Sequence, residues 1–495
     1  MHKLEDTAKR DIGLFKRVQN NMIATNDRAY TNWYDTRRYV EQTRDYSSAE
    51  LEEIIKSGSL DAQKTLSQNY YYKDGYYKRI ILYYATLLTY DTLMVPVVTP
   101  SKKITEKAIS KKYYEALNYL DLMDLKTLLP AIALRVFRDG SYCGLKIKTD
   151  KKHFSVLDLP SNYSCSRFKD LNNRDIIEFN VRYFNTIRDK DTRKQVLALY
   201  PKEVQQAYKK YSEGKRKSSW VFLPAEDGIY FDLFDGRPMF LSVIPQTIRY
   251  NDAVELELEK RIEEIKKIIV QKVPHNASTD ALVFEPDEAE EMHKGAVGML
   301  TKNKNTSVLT TYCDVDAITS NASSDNVNST LEKMLNNVYS QAGVSSQIFA
   351  ATGTQSLDTS IRNDLSLVMI LGKKFSIFIS NILNDLFGNI NISFSAKVLP
   401  LSEYNRKDYI DSSFKLAQSG YSLLIPAIAS GVAQRELTSI KDLENTLLNL
   451  GEKLLPLESS YTQSSGEVGA PEKSVEEKSP KTIQNEESLN NQGSE

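Results

Sequence analysis

His275, His293 and Cys313 carry the donor atoms of a zinc site within one stretch of chain. Their separations do not give the close ligand pairs of structural zinc, and no fourth ligand stands at a suitable spacing, so the reading favours no metal. Asp232 and Asp235 beside Gly236 offer a second arrangement, two carboxylates for a divalent ion. Aspartates so placed more commonly make a turn, because the short acid bonds its own backbone. Nucleotide chemistry lacks its parts. No G-x-x-x-x-G-K-[ST] stretch is present to cradle phosphates, so ATP hydrolysis by that route is not expected. Gly295 and Gly298 lack the strand and downstream acid of a dinucleotide site. With four histidines in 495 residues, no Ser–His–Asp arrangement can be picked out. The expectation is a chain without cofactor or metal, whose work is mechanical and not enzymatic. A metal-dependent DNA-processing enzyme and a monomeric helical scaffold or adaptor stay open as alternatives.

The elements that would do mechanical work lie between Ile248 and Leu386. After Pro245 a helix is predicted in which Val254, Leu258, Ile262, Ile265 and Ile269 recur at steps of four and three, so they share one stripe that must be buried. Its other face pairs Glu257 with Arg261 and Glu263 with Lys267 in the favourable order. Pro274 ends the helix. The run Ala281 to Phe284, an acidic turn Glu285 to Glu291, and Gly295 and Gly298 then read as a small strand-and-turn module. Polar residues from Ser320 to Asp325 cap a second helix with Val327, Leu331, Leu335 and Val338 on one face, stopped by Gly343. From Val344 to Asp358 the residues are mostly small and polar around Gly353, without lysine or arginine. A helix of about thirty residues by pattern follows, carrying Ile361, Leu365, Val368, Leu371, Phe375, Phe378, Ile382 and Leu386, closed by Gly388. Asn391 to Val398 then reads as a strand.

This order, helix, compact insert, returning helix ending in Gly343-Val344-Ser345-Ser346, polar loop, long helix, strand, is similar to that of the portal proteins of tailed bacteriophages, the ring at one capsid vertex. The likeness runs from about Leu60 to Leu450 and is one of pattern. Portal proteins commonly have proline just after the glycine and small apolar residue that close the second helix, where Ser345 and Ser346 stand here. The resemblance implies an α+β, portal-like fold. Residues 60–245 would form a mixed α/β wing, 246–272 and 323–343 a helical stem pair, and 273–322 a small α/β clip. Residues 344–358 would be a tunnel loop, 359–400 a tunnel helix and returning wing strand, and 401–455 a helical crown. Both stem stripes would face neighbouring copies in a homo-oligomeric ring, of about twelve copies by the resemblance. Ser345, Ser346, Gln347, Thr352, Gly353, Thr354, Gln355 and Ser356 would face double-stranded DNA in the lumen, touching phosphates by hydrogen bonds without a strong electrostatic trap. The same stretch reads equally as a surface loop. Lys373 and Lys374 would face DNA or solvate the outer side of the long helix. Implied partners are the large terminase, major capsid and scaffolding proteins, and head-completion and tail proteins. The implied location is the virion vertex, and the host cytoplasm during assembly.

Composition bears on the same reading. Sixty-four basic residues stand against 65 acidic ones, whereas a protein that grips DNA by neutralising many phosphates shows a basic excess. Cys143, Cys165 and Cys313 are too few and scattered for a disulfide framework. Met1 to Gln19 has no apolar core of a secretory signal. Ile80 to Val98, interrupted by Asp91 and Pro96, reads as a buried core helix and not a membrane span. Residues 1–59, an N-terminal extension, hold a helix from Ser47 to Lys56. The tyrosines from Tyr70 to Tyr84 read as core packing rather than base stacking. Helices are predicted over Thr105–Asn118, Leu122–Phe137 and around Val196, Val204 and Tyr208. Strands are predicted over Tyr142–Lys148, Phe154–Leu159, Ile176–Tyr183, Trp220–Leu223 and Gly228–Phe234. Short helices are expected over Asp408–Gln418, Leu423–Ala429 and Ile440–Leu450. Residues 456–495, poor in large apolar side chains, read as disordered.

Overall fold

The structure, a computed structural model, describes residues 46–56, 58–98, 105–265, 267–272, 286–300, 306–311, 324–344, 348 and 357–449. Helix α1 (Ser48–Lys56) opens with a reciprocal cap. The Ser47 N–H donates to the Glu50 carboxylate at 2.9 Å, and the Glu50 N–H donates to the Ser47 hydroxyl at 3.3 Å. Two tyrosine-rich helices follow, α2 (Leu60–Lys73) and α3 (Gly75–Thr86), parted where the Asp74 carboxylate accepts from the Tyr77 N–H at 2.7 Å. Leu66, Tyr70, Tyr77, Ile81, Tyr84 and Leu88 are buried, so these rings are core, as expected.

The helix expected through Val98 ends at Thr86 instead, and strand β1 (Thr92–Val98) replaces its second half. Valines and a proline suit an extended edge strand better than a helix. Helices α4 (Glu106–Leu122) and α5 (Leu125–Asp139) lead into Gly140, whose φ of +83° and close backbone approach to Arg237 admit no side chain. Beyond it β2 (Ser141–Asp150), β3 (His153–Asp158) and β7 (Gly228–Asp232) form an antiparallel sheet in the order β3-β2-β7. A second sheet, β4-β5-β6, joins β4 (Ser164–Lys169), β5 (Asp175–Asn180) and β6 (Trp220–Phe222). The expected strand over Ile176–Tyr183 stops at Asn180, where a 3₁₀ turn Val181–Thr186 begins. Pro201 splits the charged helical stretch into α6 (Lys190–Ala198) and α7 (Lys202–Ser212). Val196, Val204 and Tyr208 turn inward against Ile177, Phe179 and Val221, making a core separate from the main one.

Strand β10 (Ile392–Val398) pairs antiparallel with β1 over seven residues, Thr92 opposite Val398. Such a two-stranded sheet has two open edges, and side chains close both. From the long helix α11 (Leu357–Phe387), Ser376, Ser380 and Asn384 stand one turn apart and accept from the N–H groups of Val398, Ala396 and Phe394 at 2.9, 2.9 and 2.6 Å. At the β1 edge the Gln434 amide accepts from the Met94 N–H and donates to the Met94 carbonyl, both at 2.8 Å, and Pro96 offers no N–H at all. Both Met94 and the Gln434 side chain are buried. Gln434→Ala is therefore expected to cost about 2 kcal/mol, since it strands a buried donor and acceptor together. Denaturant melts of the variant check this; a loss below about 0.5 kcal/mol would show the edge to be solvated.

Helix α8 (Ile244–Ile265) runs out from this body and α10 (Ser324–Ala342) returns along it. Between them β8 (Lys267–Lys272) and β9 (Thr306–Thr311) pair in parallel, Lys267 opposite Thr306, with α9 (Pro286–Leu300) intervening in sequence. Two expectations are corrected here. The first stem helix does not reach 272: it ends at Ile265, and Ile269 lies in β8, where the run Ile268-Ile269-Val270 suits a strand. The acidic turn and both glycines, Gly295 and Gly298, are helical in α9, so the insert is a β-α-β unit.

After β10 come α12 (Arg406–Gln418), α13 (Leu424–Ala429) and α14 (Gln434–Asp442). Buried Asp91, just before β1, pairs with Lys126 of α5 at 2.9 Å and with Arg406 of α12 at 3.8 Å. Residues 1–435 are one compact unit and 436–495 a second. The second is described over 436–449, the end of α14 and a π-helical turn Leu443–Leu447, so the helix expected over Ile440–Leu450 begins earlier and loosens at Leu443. The N-terminal extension before Tyr46 and the tail 456–495 lie outside the described residues. The chain is mixed α+β with several small sheets.

Candidate functional site

The polar stretch between α10 and α11 is bounded on both sides by anchored helix ends. Helix α10 ends in a glycine cap: Gly343 takes φ +74°, its N–H donates to Ser340 O at 3.1 Å, and the Val344 N–H donates to Tyr339 O at 3.0 Å. Val344 and Tyr339 are both buried beneath this turn, the apolar contact that accompanies such a cap. On the far side, Asp364 sits one turn after Ile361 on the apolar stripe of α11 and is 2% exposed. Two hydroxyls of α3 meet it, Tyr83 at 3.0 Å and Tyr84 at 3.1 Å. Tyr84 also lies 3.4 Å from the carbonyl of Ala342, so one ring ties together the two helix ends that flank the loop. Burial raises the Asp364 carboxyl above its ordinary value, and the two tyrosine bonds only partly oppose this. Burial and the Asp364 charge push both tyrosines well above theirs. Ser345, Ser346, Gln347, Thr352, Gly353, Thr354, Gln355 and Ser356 lie outside the described residues.

Helix α11 buries Ile361, Leu365, Val368, Leu371, Phe375 and Ile382 as its period requires. Phe378 and Leu386 are only half-buried, and Ile379, Leu383 and Phe387 take the inner places, because the stripe rotates to meet β10. Among the described residues it is the one helix long and apolar enough to cross a membrane, yet it packs into the main core.

The stem stripes divide between inside and outside. Val338 is buried within the chain and so is not free for the subunit contact expected of it, while Leu335 is half-buried against the main core. Farther out, Leu331 and Val254 are half-buried and Leu258 is 56% exposed, and Leu256, off the stripe on another face of the helix, is 66% exposed. Ile262 and Ile265 lie on α8 and Val327 on α10, their side chains outside the described set. Glu257 and Arg261 bond at 3.2 Å, the i to i+4 pair read from the sequence.

The two lysines of α11 separate. Lys373 is exposed, whereas Lys374 makes an ion pair with Asp232 of β7 and also bonds the Asp232 carbonyl at 2.9 Å. Lys374 thereby fastens the long helix to β7. It lines a groove of about 670 Å³ between α11 and the sheets β3-β2-β7 and β4-β5-β6, where Arg174 also pairs with Asp385 at 3.1 Å. Burial lowers Lys146 and raises Asp175 in this groove.

Asp232 is taken up by Lys374, and Asp235 accepts from the Arg237 N–H at 3.1 Å in a turn, so these two acids do not converge on an ion. His293 lies on α9, while His275 and Cys313 lie outside the described residues. Among the described residues no three His, Cys, Asp or Glu side chains cluster as metal ligands. The Asp364 clamp escaped sequence reasoning, although an acid at the center of an apolar stripe, between Ile361 and Val368, was its signal. A scan against protein-family models finds no match for the chain, and a search of the curated proteins finds none either.

Proposed function

We propose that this chain is the portal subunit of a tailed bacteriophage, one copy of a ring at a capsid vertex through which double-stranded DNA is packaged and ejected. The observation that carries the reading is an exposed leucine, Leu258, on the apolar stripe of the otherwise charged outer half of α8. Leu258 is more than half exposed on a helix that runs out of the body, packs on the returning α10, and carries a β-α-β insert at its end. A second copy set head-to-tail would cover that surface, and repetition of one heterologous contact closes a ring. The long helix suits a tunnel wall, since Ser376, Ser380, Asn384 and Lys374 fasten it to the wing along its length while the polar loop departs from its start. The insert, 267–311, would receive the large terminase and then head-completion or tail proteins, and the wing the capsid and scaffolding proteins.

Electron microscopy of the purified chain tests this directly. Annular particles with a central hole are expected, with a mass that is a multiple of the 56.3 kDa chain. Leu258→Glu is expected to abolish assembly while changing the stability of the subunit by less than about 0.5 kcal/mol, as for an exposed position. A wild-type chain that stays a lone particle at high concentration would sink the proposal.

A further inference from the structure

The overall charge balance conceals a strong segregation. Between Arg182 and Lys217 eleven lysines and arginines stand against four acids, a net +7 in a chain whose total is −1. These residues build α6, α7 and the segment leading to β6, and Lys209, Lys210, Lys215 and Lys217 are exposed. A sheet whose inner face rests on those helices would ordinarily present polar side chains outward. The outer face of β4-β5-β6 instead carries Phe168 at 54% and Phe222 at 59% exposure, their ring centroids 5.9 Å apart and edge to face. Trp220 shares this face with Phe222, two residues away along β6, and Arg167 stands 5.7 Å from its ring. The one acid in the middle of the face, Glu178, is buried and neutralised by Arg167, whose Nε donates to it at 2.9 Å. At the end of β6 the basic segment and the aromatic face meet, where Arg216 donates to the Trp220 carbonyl at 2.8 Å.

We infer that the outer face of β4-β5-β6 is a stacking platform for single-stranded nucleic acid. Flat rings on a solvent-facing sheet accept the faces of unpaired bases whatever their sequence, and a basic rim follows the phosphates. Duplex DNA hides its base faces and would meet only the charge. This surface is distinct from the polar loop and from the exposed stripe of α8, and its test does not depend on ring formation.

Binding of a fluorescein-labelled oligothymidylate to the full-length chain, followed by anisotropy over a range of salt, is the experiment. Binding is expected to weaken as salt rises, and Phe168→Ala with Phe222→Ala to weaken it about tenfold or more. The double Tyr variant, which keeps both rings, should bind as the wild type does. Lys215→Glu with Lys217→Glu should flatten the salt dependence, and the Ala pair should leave duplex binding unchanged. Unaltered oligothymidylate binding by the Ala pair overturns the proposal, as does no binding at low salt. Loss of self-association in the Ala pair without any effect on oligonucleotide would assign the face to a second copy of the chain, and equally overturn it.

Discussion

Replacing Asp139 by alanine is expected to cost about 3–5 kcal/mol, because it leaves a guanidinium buried without its counter-charge. Arg138 and Asp139 are neighbours in sequence and both are buried at the end of α5, joined by two hydrogen bonds of 2.7 and 2.8 Å. Burial alone would raise the Asp139 carboxyl, but the Arg138 charge and its bonds prevail and hold it below the ordinary value. The sign of the pH effect follows. A carboxyl whose folded pKa is depressed contributes stability above its unfolded pKa and loses it as pH falls through the folded one. Wild type is therefore expected to weaken below about pH 4, and Asp139→Ala to show less of that acid loss from a lower starting point. The double variant Arg138→Met with Asp139→Ala should be more stable than Asp139→Ala alone, since the unpaired charge is gone. Denaturant melts of the three proteins at neutral and acid pH decide it, and a double variant no better than the single one would refute the account.

How much of this was legible beforehand depends on what each residue's neighbours are. Helix α11 was legible because its stripe runs through most of thirty-one residues, and β10 because buried and exposed positions alternate without a break. Strand β4 was not, since Ser-Cys-Ser-Arg-Phe-Lys turns half its side chains to solvent and so carries no apolar alternation. Ile269 misled because Ile265 and Ile269 continue a helical period by step while the β-branched run around Ile269 favours a strand; the pairing with β9, far away in sequence, decides between them. The stem stripe was legible as apolar, but not that Val338 would be covered within the chain and Leu258 left outside, since coverage depends on where α8 leaves the body. Charge shows the same limit. The balance of the whole chain hides a basic segment, and that segment gains meaning only when Trp220 and Phe222 are seen on the open face of the sheet that follows it.

Asp364→Ala is expected to cost about 3 kcal/mol, and Asp364→Asn far less. Alanine removes the acceptor shared by the Tyr83 and Tyr84 hydroxyls and opens a small void on the stripe between Ile361 and Val368. Asparagine keeps the shape and one carbonyl acceptor while removing a charge that burial opposes. The pH dependence here has the opposite sign from that of Asp139. Because the folded pKa of Asp364 is raised, the native state holds this proton after the unfolded chain has released it, so its contribution to stability falls as pH rises through that window and recovers on acidification. Asp364→Asn should lack this component and, at neutral pH, match or exceed the wild type in thermal melts. On acidification between the raised Asp364 pKa and the ordinary carboxylate value the wild type should gain stability that the asparagine variant does not, whereas below the ordinary value the Asp139 loss should run in parallel in both. An asparagine variant as unstable as the alanine one would mean that the carboxylate's charge, and not its shape and acceptors, holds the start of the long helix against α3. In that event the clamp would be an ionic lock, and the account of Asp364 as a shape and a shared acceptor would be wrong.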